Sequence, residues 1–291
     1  MPTYHPRRTT APKTIVITGA SDGIGAAAAR QLHADGHTVV IVGRSPSRTQ
    51  AIARELSADY YLADFSRLDD VRKLAADLNA TYPRIDVLAN NAGGIFGDRT
   101  KTADGFEKTF QINHLAPFLL TQLLIDKLIK SHATVIQTAS VGARLFGNLV
   151  IDDLDHDQDF TPQLAYGTTK LENILFTQEL NARCHDKGIS TAAFHPGTVA
   201  SSFATESDSF MKRIYSSRIG RAFMISPGKA ANQLVWLAET TPGEEWESGV
   251  YYERQKPARR LHKQAKDDAL AHRLWSRSEQ LLASGGPAKP A

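Results

Sequence analysis

The stretch Thr18-Gly19-Ala20-Ser21-Asp22-Gly23-Ile24-Gly25 decides the fold, because it ends a β-branched run and opens an alanine-rich helical pattern. Glycines let the backbone turn sharply, and the free amides at the start of a helix attract an anion such as a pyrophosphate. A strand, a glycine-rich turn and a helix in this order predict a dinucleotide site. Taken alone, the stretch leaves a second interpretation open, a turn that binds nothing.

Short apolar runs alternate with amphipathic helical patterns from Lys13 to about His195, and one long helical pattern spans 106–130. Strands that are apolar on both faces and separated by helices predict a parallel sheet covered on both sides. We therefore expect an α/β fold with a doubly wound, Rossmann-type sheet. The expected organisation is a disordered basic arm at 1–12, one dinucleotide-binding catalytic domain at 13–283 with a helical substrate flap at about 199–226, and a disordered tail at 284–291.

Composition excludes several classes of function. With 34 basic and 31 acidic residues, no zinc-knuckle spacing and no basic stripe interleaved with aromatics, the chain is not expected to bind nucleic acid. The single cysteine, Cys184, rules out an internal disulfide. No stretch approaches the ~20 apolar residues of a membrane span, and no secretory signal is recognisable, so we expect a cytoplasmic protein. The acidic run Asp152–Asp157 lacks a glycine turn, so we expect a solvated loop and no metal site.

Further blocks follow the opening stretch in a fixed order. They are Asn90-Asn91-Ala92-Gly93 after the fourth strand, Asn113 in the long helical pattern, Ser140 at the end of the fifth strand, Tyr166-Gly167-Thr168-Thr169-Lys170 in the next helix, and Pro196-Gly197 after the sixth strand. The spacing of the first two glycines in the opening stretch also differs from that of the usual dinucleotide fingerprint. Over essentially the whole chain, this set resembles the short-chain dehydrogenase/reductase family.

Within that family, the chain is most similar to the branch of retinol dehydrogenases and protochlorophyllide reductases. This similarity rests on Asp104-Gly105-Phe106-Glu107, Asn113-His114-Leu115, Leu171-Glu172-Asn173-Ile174-Leu175-Phe176, His195-Pro196-Gly197 and Leu274-Trp275-Ser276-Arg277-Ser278-Glu279. The branch implies a bulky apolar carbonyl or alcohol as the substrate.

The resemblance implies that Asn113, Ser140, Tyr166 and Lys170 are catalytic. Reduction of a carbonyl requires a hydride donor at the carbon and a proton donor at the oxygen, and a tyrosine hydroxyl ionises near pH 10. A lysine ammonium beside Tyr166 favours the phenolate, and a serine hydroxyl stabilises the charge that develops on the substrate oxygen. By the resemblance, Asn113 holds a water that links Lys170 to solvent.

The Tyr-x-x-x-Lys pattern occurs a second time, at Tyr252 and Lys256. The first pair lies in a helical pattern, where residues four apart share a face. The second pair begins in a strand and runs into Pro257, so we expect Tyr252 to pack in the core instead.

The end of the second strand bears on the choice of cofactor. Family members that prefer NAD usually carry an acidic residue where this chain has Gly43, and the following Arg44 can grip a 2′-phosphate. Asp22 counts against this preference, because many NADP users have a basic residue there. We expect NADP(H) to be favoured over NAD(H), and we expect Arg48 to be a solvated arginine.

The resemblance also implies the cofactor contacts. Asp64 matches the family's adenine-contacting aspartate, although it could instead cap a helix, a role for which Ser66 competes. The implied contacts are Gly19, Ala20, Ser21, Asp22, Gly23, Ile24, Gly25, Arg44, Asp64, Phe65, Asn91, Ala92, Gly93, Tyr166, Lys170, Pro196, Gly197 and Val199. His195 is expected to be a packed residue at the end of a strand.

The sequence therefore predicts an NAD(P)-dependent oxidoreductase that transfers a hydride between nicotinamide and a small-molecule carbonyl or alcohol. Two alternatives stay open: a carbon–carbon double-bond reductase, and a non-catalytic NADP-sensing protein. The family also implies a homodimer formed by the helices that carry Asn113 and Tyr166, unless the C-terminal extension covers the same surface.

Overall fold

Eight strands form one sheet in the part of the chain that the computed structural model describes, residues 11–197 and 225–284. The order is β3-β2-β1-β4-β5-β6-β7-β8, in which only β8 is antiparallel to its neighbour. The predicted α/β fold with a doubly wound, Rossmann-type sheet is confirmed. The strands are β1 (Thr14–Thr18), β2 (Thr38–Gly43), β3 (Tyr60–Leu62), β4 (Val87–Asn90), β5 (Thr134–Thr138), β6 (Ser190–His195), β7 (Val250–Glu253) and β8 (Lys256–Pro257).

Helices cover both faces of this sheet. They are α1 (Gly23–Ala34), α2 (Pro46–Leu56), α3 (Leu68–Thr81), α4 (Lys108–Phe110), α5 (Ala116–Leu123), α6 (Ile125–Ser131), α7 (Gly142–Phe146), α8 (Pro162–Cys184), α9 (Pro227–Glu239) and α10 (Asp268–Ala283). Successive residues of β1 enter opposite cores: Ile15 and Ile17 pack with α1 and α9, whereas Val16 packs with α3 and α8. This alternation explains why the strands are apolar throughout.

The polypeptide reverses its direction of progress across the sheet between β1 and β4, which are neighbours. Ligands of open α/β sheets bind beyond the carboxyl ends of the strands at such a switch point. The glycine-rich stretch and Asn91 both follow strands that end at this place.

The long helix predicted at 106–130 is wrong in detail. The structure has α4, then a π-helical turn at Gln111–Leu115 in which the Ala116 N–H donates to the Gln111 carbonyl, then α5 and α6. α5 and α6 are separated at Leu124, whose φ and ψ are −100° and −1°. Apolar residues continue through these breaks, so the hydrophobic pattern alone did not reveal them.

The prediction of a solvated loop at Asp152–Asp157 is also corrected in part. Asp155 and His156 are 8% and 5% exposed, and Asp155 accepts a hydrogen bond from the Glu107 N–H at 2.7 Å. Asp153 accepts from the backbone amides of Asp157 and Gln158. The run is therefore a folded turn whose carboxylates bind backbone amides, not a solvated loop. Among the described residues no cluster could hold a metal ion.

No helix in the two described ranges is long and apolar enough to cross a bilayer. The predicted arm up to residue 10, the flap up to residue 224, Val199 and the tail from residue 285 lie outside the described residues. The division of the chain into arm, domain, flap and tail therefore stays a prediction.

Candidate active site

A cavity of about 500 Å³ lies beyond the carboxyl ends of β1, β2, β4, β5 and β6. It extends from Arg44, which is exposed, to Tyr166 and Lys170. The predicted site residues in its wall are Gly19, Ser21, Asp22, Gly23, Ile24, Arg44, Asp64, Phe65, Asn91, Ala92, Gly93, Ser140, Tyr166, Lys170, Pro196 and Gly197. Ala20, Gly25 and Asn113 lie behind this wall.

The turns after β1 and β4 hold each other in place. The Thr18 hydroxyl accepts the backbone N–H groups of Asn91 and Ala92 at 2.9 and 3.0 Å, and it donates to the Ala89 carbonyl at 3.3 Å. Gly19 has a φ of +66°, and a Cβ there would lie 2.9 Å from the Ala92 Cα. Only glycine satisfies both conditions without strain. This role of Thr18 could not be predicted from the sequence, because its partners are more than 70 residues away.

Asn113 ties the turn after β4 to α8. Its Oδ1 accepts the Gly94 N–H at 2.9 Å, while its Nδ2 donates to the Gly94 carbonyl at 2.9 Å and to the Thr169 hydroxyl at 3.1 Å. The side chain is 1% exposed and projects from the π-helical turn. Such turns often mark functional sites. The predicted water at Asn113 stays a prediction.

Lys170 is buried close to Tyr166. Its Nζ donates to the Thr138 carbonyl at 2.9 Å and lies 5.5 Å from the centroid of the Tyr166 ring. The side chain is 2% exposed, and burial lowers the pKa of Lys170 to about 7. A lysine with such a pKa exchanges its proton at neutral pH.

Ser140 and Tyr166 lie on either side of Gly142. A Cβ at Gly142 would be 3.1 Å from the Tyr166 Cε1 and 3.4 Å from the Ser140 Oγ. The Ser140 Oγ accepts the Gly142 N–H at 3.1 Å. Ser140 lies two residues beyond the end of β5 rather than at its last position. Both hydroxyl groups therefore reach the same end of the cavity.

The end of β2 has no space for a side chain at Gly43. A Cβ there would be 2.4 Å from the Thr49 Oγ1 and 2.9 Å from the Ser21 Cβ. The predicted solvated Arg48 also lines the cavity, and its Nη1 lies 3.3 Å from an Asp22 oxygen. Both members of this ion pair are about half exposed, and the other Asp22 oxygen caps α1 at the Gly23 N–H.

Asp64 does not cap the following helix. α3 begins after Arg67, and the Asp64 Oδ1 accepts from the N–H and the hydroxyl of Ser66 at 2.9 and 2.8 Å. Phe65 is buried in the core, and its carbonyl accepts from the Gln111 amide at 3.1 Å. Through this bond, the cavity wall at Phe65 is connected to the π-helical turn.

His195 packs at the end of β6, as predicted, and it also lines the cavity. Burial, and to a smaller extent Arg254, lowers the pKa of His195 to about 4. The imidazole is therefore neutral at pH 7, and its Nδ1 accepts the Val141 N–H at 3.3 Å.

Several other residues of the cavity wall were not predicted from the sequence. Gln163 lies three residues before Tyr166 on α8, a spacing that places both on one helical face and could have revealed it. No local signal marks the apolar wall residues Ile95, Phe96, Leu145 and Phe146.

Tyr252 is a core residue, as expected. It is 2% exposed, its hydroxyl accepts the Glu247 N–H at 2.7 Å and donates to the Glu247 carbonyl at 3.1 Å, and its ring lies edge-on to Trp236. Lys256 lies on β8, so the second Tyr-x-x-x-Lys pair spans a hairpin.

The geometry agrees with a comparison to known families. The model of the short chain dehydrogenase family matches residues 13–212, more than half of the chain. The chain belongs to the short chain dehydrogenase family. It is therefore an oxidoreductase that transfers a hydride, on a fold that binds nicotinamide cofactors, and its partner in the reaction is a small molecule.

The similar proteins include members of the predicted branch. The chain is 38% identical to a Streptomyces sp. (strain C5) protein named for daunorubicin C-13 ketoreduction, with 91% of each chain covered. It is 33% identical to retinol dehydrogenase 14 of Mus musculus, with 93% of this chain and 86% of the relative covered. A crystal structure of an uncharacterised Mycobacterium Paratuberculosis protein superposes with a TM-score of 0.73 at 31% identity, with 93% of each chain covered. The predicted similarity to the retinol dehydrogenase branch is confirmed.

Proposed function

We propose that the chain is an NADP(H)-preferring oxidoreductase that interconverts carbonyls and alcohols on apolar small molecules. The observation that carries this proposal is the single cavity that joins Arg44, at the end of β2, to Ser140, Tyr166 and Lys170. The apolar substrate is suggested by Ile95, Phe96, Leu145 and Phe146 in the wall. The relatives' names, a ketoreductase and retinol dehydrogenases, both describe carbonyl and alcohol chemistry.

The residues present fit a nicotinamide dinucleotide. The turns after β1 and β4 are in contact, and α1 begins at the cavity wall, where the start of a helix favours an anionic group. Arg44 would hold the 2′-phosphate, because a guanidinium binds a phosphate with two hydrogen bonds. Lys170 would hold the ribose beside the nicotinamide. The bound nicotinamide supplies the hydride in reduction and accepts it in oxidation.

The side chains of the site would transfer the proton and stabilise the charge that develops on the substrate oxygen. Tyr166 gives its hydroxyl proton to the substrate oxygen in reduction and takes it back in oxidation. The Ser140 hydroxyl donates a hydrogen bond to the same oxygen and stabilises its charge. Lys170 stabilises the Tyr166 phenolate while it is charged, and its pKa of about 7 lets it pass a proton onward. Asn113 fixes Thr169 and Gly94, so it positions the start of α8 against the wall.

A turnover screen tests this function. The chain is incubated with NADPH or NADH and a panel of ketones, aldehydes and enones of rising apolar size, and cofactor absorbance is followed. We expect ketone or aldehyde reduction that is faster with NADPH and with the larger apolar members. Turnover of enones alone would replace the proposal by double-bond reduction, and tight NADPH binding without any turnover would replace it by a sensor.

A dimer through α5 and α8 is not part of the proposal, because α10 covers that surface. The Trp275 ring lies 4.9 Å from the Phe118 ring and stacks on Phe176 at 5.6 Å. The His114 Nε2 is hydrogen-bonded to the Ser278 hydroxyl at 3.0 Å. We propose that α10 takes the place that a second copy would occupy.

A further inference from the structure

One short segment of the chain is strongly basic. Residues 254–266 contain six lysines and arginines and no acidic residue, whereas the other 278 residues contain 28 basic and 31 acidic side chains. The six are exposed, and none forms an ion pair within the described part of the chain. They are Arg254, Lys256, Arg259, Arg260, Lys263 and Lys266.

Both ends of this segment are fixed beside the cavity. At one end, Glu253 is opposite His195 in the sheet register, and Arg254 follows directly. At the other end, the Gln264 side chain accepts the Leu149 N–H at 3.0 Å and donates to the Leu149 carbonyl at 2.8 Å. The two ends of the basic segment are therefore joined to chain segments that continue into the cavity wall, at His195 and at Phe146.

The end of α7 and the loop after it, which Gln264 binds, carry three exposed apolar side chains. Leu145, Phe146 and Val150 are 54%, 43% and 47% exposed, and they are three of the six large apolar side chains exposed among the described residues. Leu145 and Phe146 also line the cavity. Apolar side chains that are exposed together mark a contact surface more often than an accident of packing.

We propose that this docking face, the six cations of 254–266 together with Leu145, Phe146 and Val150, binds an anionic lipid surface. Lysines and arginines near a membrane contact the negative headgroups, while adjacent apolar side chains enter the boundary with the acyl layer. A lipid surface offers both kinds of partner side by side. Nucleic acid is less suitable, because no phenylalanine, tyrosine or tryptophan is present among 254–266 to stack on a base.

Docking in this way turns the mouth of the cavity toward the membrane. An apolar substrate dissolved in the lipid would then enter between Leu145 and Phe146 without crossing water. This last step rests on the proposed function, whereas the docking itself does not.

Vesicle sedimentation tests the docking. The full chain is mixed with vesicles of phosphatidylcholine containing 30% phosphatidylglycerol, or of phosphatidylcholine alone, at low and high salt. We expect binding to the anionic vesicles that weakens with salt. Because each cation near the surface contributes about 1 kcal/mol, Lys263→Gln with Lys266→Gln should lower the partition coefficient roughly 25-fold. Val150→Gln should lower it further.

The matched control is Arg72→Gln with Lys130→Gln, the same change of charge at exposed positions on α3 and α6. This pair should bind vesicles within about twofold of the wild type. The proposal would be overturned if the chain did not bind anionic vesicles, if it bound neutral vesicles equally well, or if both pairs of substitutions weakened binding equally. If the chain binds anionic vesicles in a charge-dependent way but converts no substrate in the turnover screen, the docking is supported and the proposed function is wrong.

Discussion

Tyr166 and Tyr252 are each followed by a lysine four residues later, yet they differ in everything that makes a tyrosine reactive. Tyr166 is partly exposed in the cavity wall beside Lys170, on the same helix. Tyr252 is buried, its hydroxyl binds both polar groups of the Glu247 backbone, and its lysine lies on the next strand. The same motif can therefore be tested in two environments within one chain.

Tyr166→Phe should lower turnover by about 10²–10⁴-fold, because it removes only the hydroxyl that would transfer the proton. NADPH affinity and thermal stability should stay close to those of the wild type. Tyr252→Phe should show the opposite pattern, with turnover retained and stability reduced by about 1–3 kcal/mol, since two backbone groups of Glu247 lose a partner. Steady-state kinetics, calorimetric titration of NADPH and thermal melts separate the two. High activity in Tyr166→Phe would disprove the mechanism.

Arg44→Ala should weaken NADPH binding roughly ten- to hundredfold while NADH binding is nearly unchanged, because a charge-assisted contact contributes about 1.5–3 kcal/mol. The control is Arg54→Ala, an exposed arginine on α2 outside the cavity wall, which should affect neither cofactor. Isothermal calorimetry with both cofactors measures the difference. Equal losses for NADPH and NADH would contradict the role of Arg44.

For single residues, the sequence predicted the side chains that line the cavity better than the residues whose hydrogen bonds keep those side chains in position. Ser140, Tyr166 and Lys170 belong to short ordered motifs, and each reaches the cavity. The contacts of Thr18 and Thr138 could not be predicted, because both depend on tertiary neighbours far along the chain.

The two helices that carry or flank the proposed catalytic groups, α7 and α8, touch backbone to backbone. A Cβ at Gly167 would lie 2.7 Å from the Gly147 nitrogen and 2.8 Å from the Gly142 carbonyl oxygen. Since both are main-chain atoms, the contact cannot be relieved by a change of rotamer. The absence of a side chain at Gly167 thus sets the distance between the Ser140 side and the Tyr166 side of the cavity.

Gly167→Ala should move α7 away from α8, lowering turnover by one to two orders of magnitude and stability by about 1–3 kcal/mol. Gly228→Ala is the matched control, because a Cβ there meets nothing within 4 Å at the start of α9. It should leave turnover unchanged and preserve or slightly raise the melting temperature. Wild-type turnover and stability in Gly167→Ala would show that the helices have more freedom than the distances indicate.

The alternation of apolar runs and helical patterns predicted the order of the strands and helices. It did not predict the π-helical turn at Gln111–Leu115. A wider turn changes which carbonyl accepts each amide, and it leaves the apolar pattern almost unchanged. In the structure, the Glu107 carboxylate caps the amides of Thr109 and Phe110, where α4 begins.

For the whole molecule, Glu172 introduces a dependence of stability on pH. It is fully buried on α8, and neither carboxylate oxygen has a hydrogen-bond partner among the described residues. Burial, together with Glu107 and Asp155, raises the pKa of Glu172 well above its ordinary value. The folded chain therefore keeps a proton that the unfolded chain releases near pH 4.3. The stability associated with this proton is complete below that pH and is lost as pH rises toward the folded-state pKa.

Glu172→Gln should flatten this dependence, because an amide cannot ionise. Between pH 5 and the folded-state pKa, the wild type should lose up to about 1.4 kcal/mol more stability per pH unit than the variant. Urea unfolding across that range measures the slopes, with Glu244→Gln as the exposed control, which should keep the wild-type slope. Parallel curves for the wild type and Glu172→Gln would mean that Glu172 ionises as freely in the folded state as in the unfolded state.

The mass in solution depends on α10. Because Trp275 and Ser278 already occupy the apolar surface formed by Phe118, His114 and Phe176, light scattering at micromolar concentrations should give the mass of one chain. Addition of NADPH should leave this mass unchanged. A dimer would contradict the covering role of α10 and restore the assembly that the family resemblance implies.

The side chains packed around Gly43 limit how the cofactor preference of this protein could be changed by mutation. An aspartate introduced there to recruit NADH would bring its first carbon into contact with the Thr49 hydroxyl, which is itself bonded to the Ser45 carbonyl at 2.6 Å. Any single-site library at position 43 should therefore yield damaged proteins instead of switched ones. Variants in which Thr49 and Ser21 shrink together with the new acid are the combinations in which a change of cofactor can be selected.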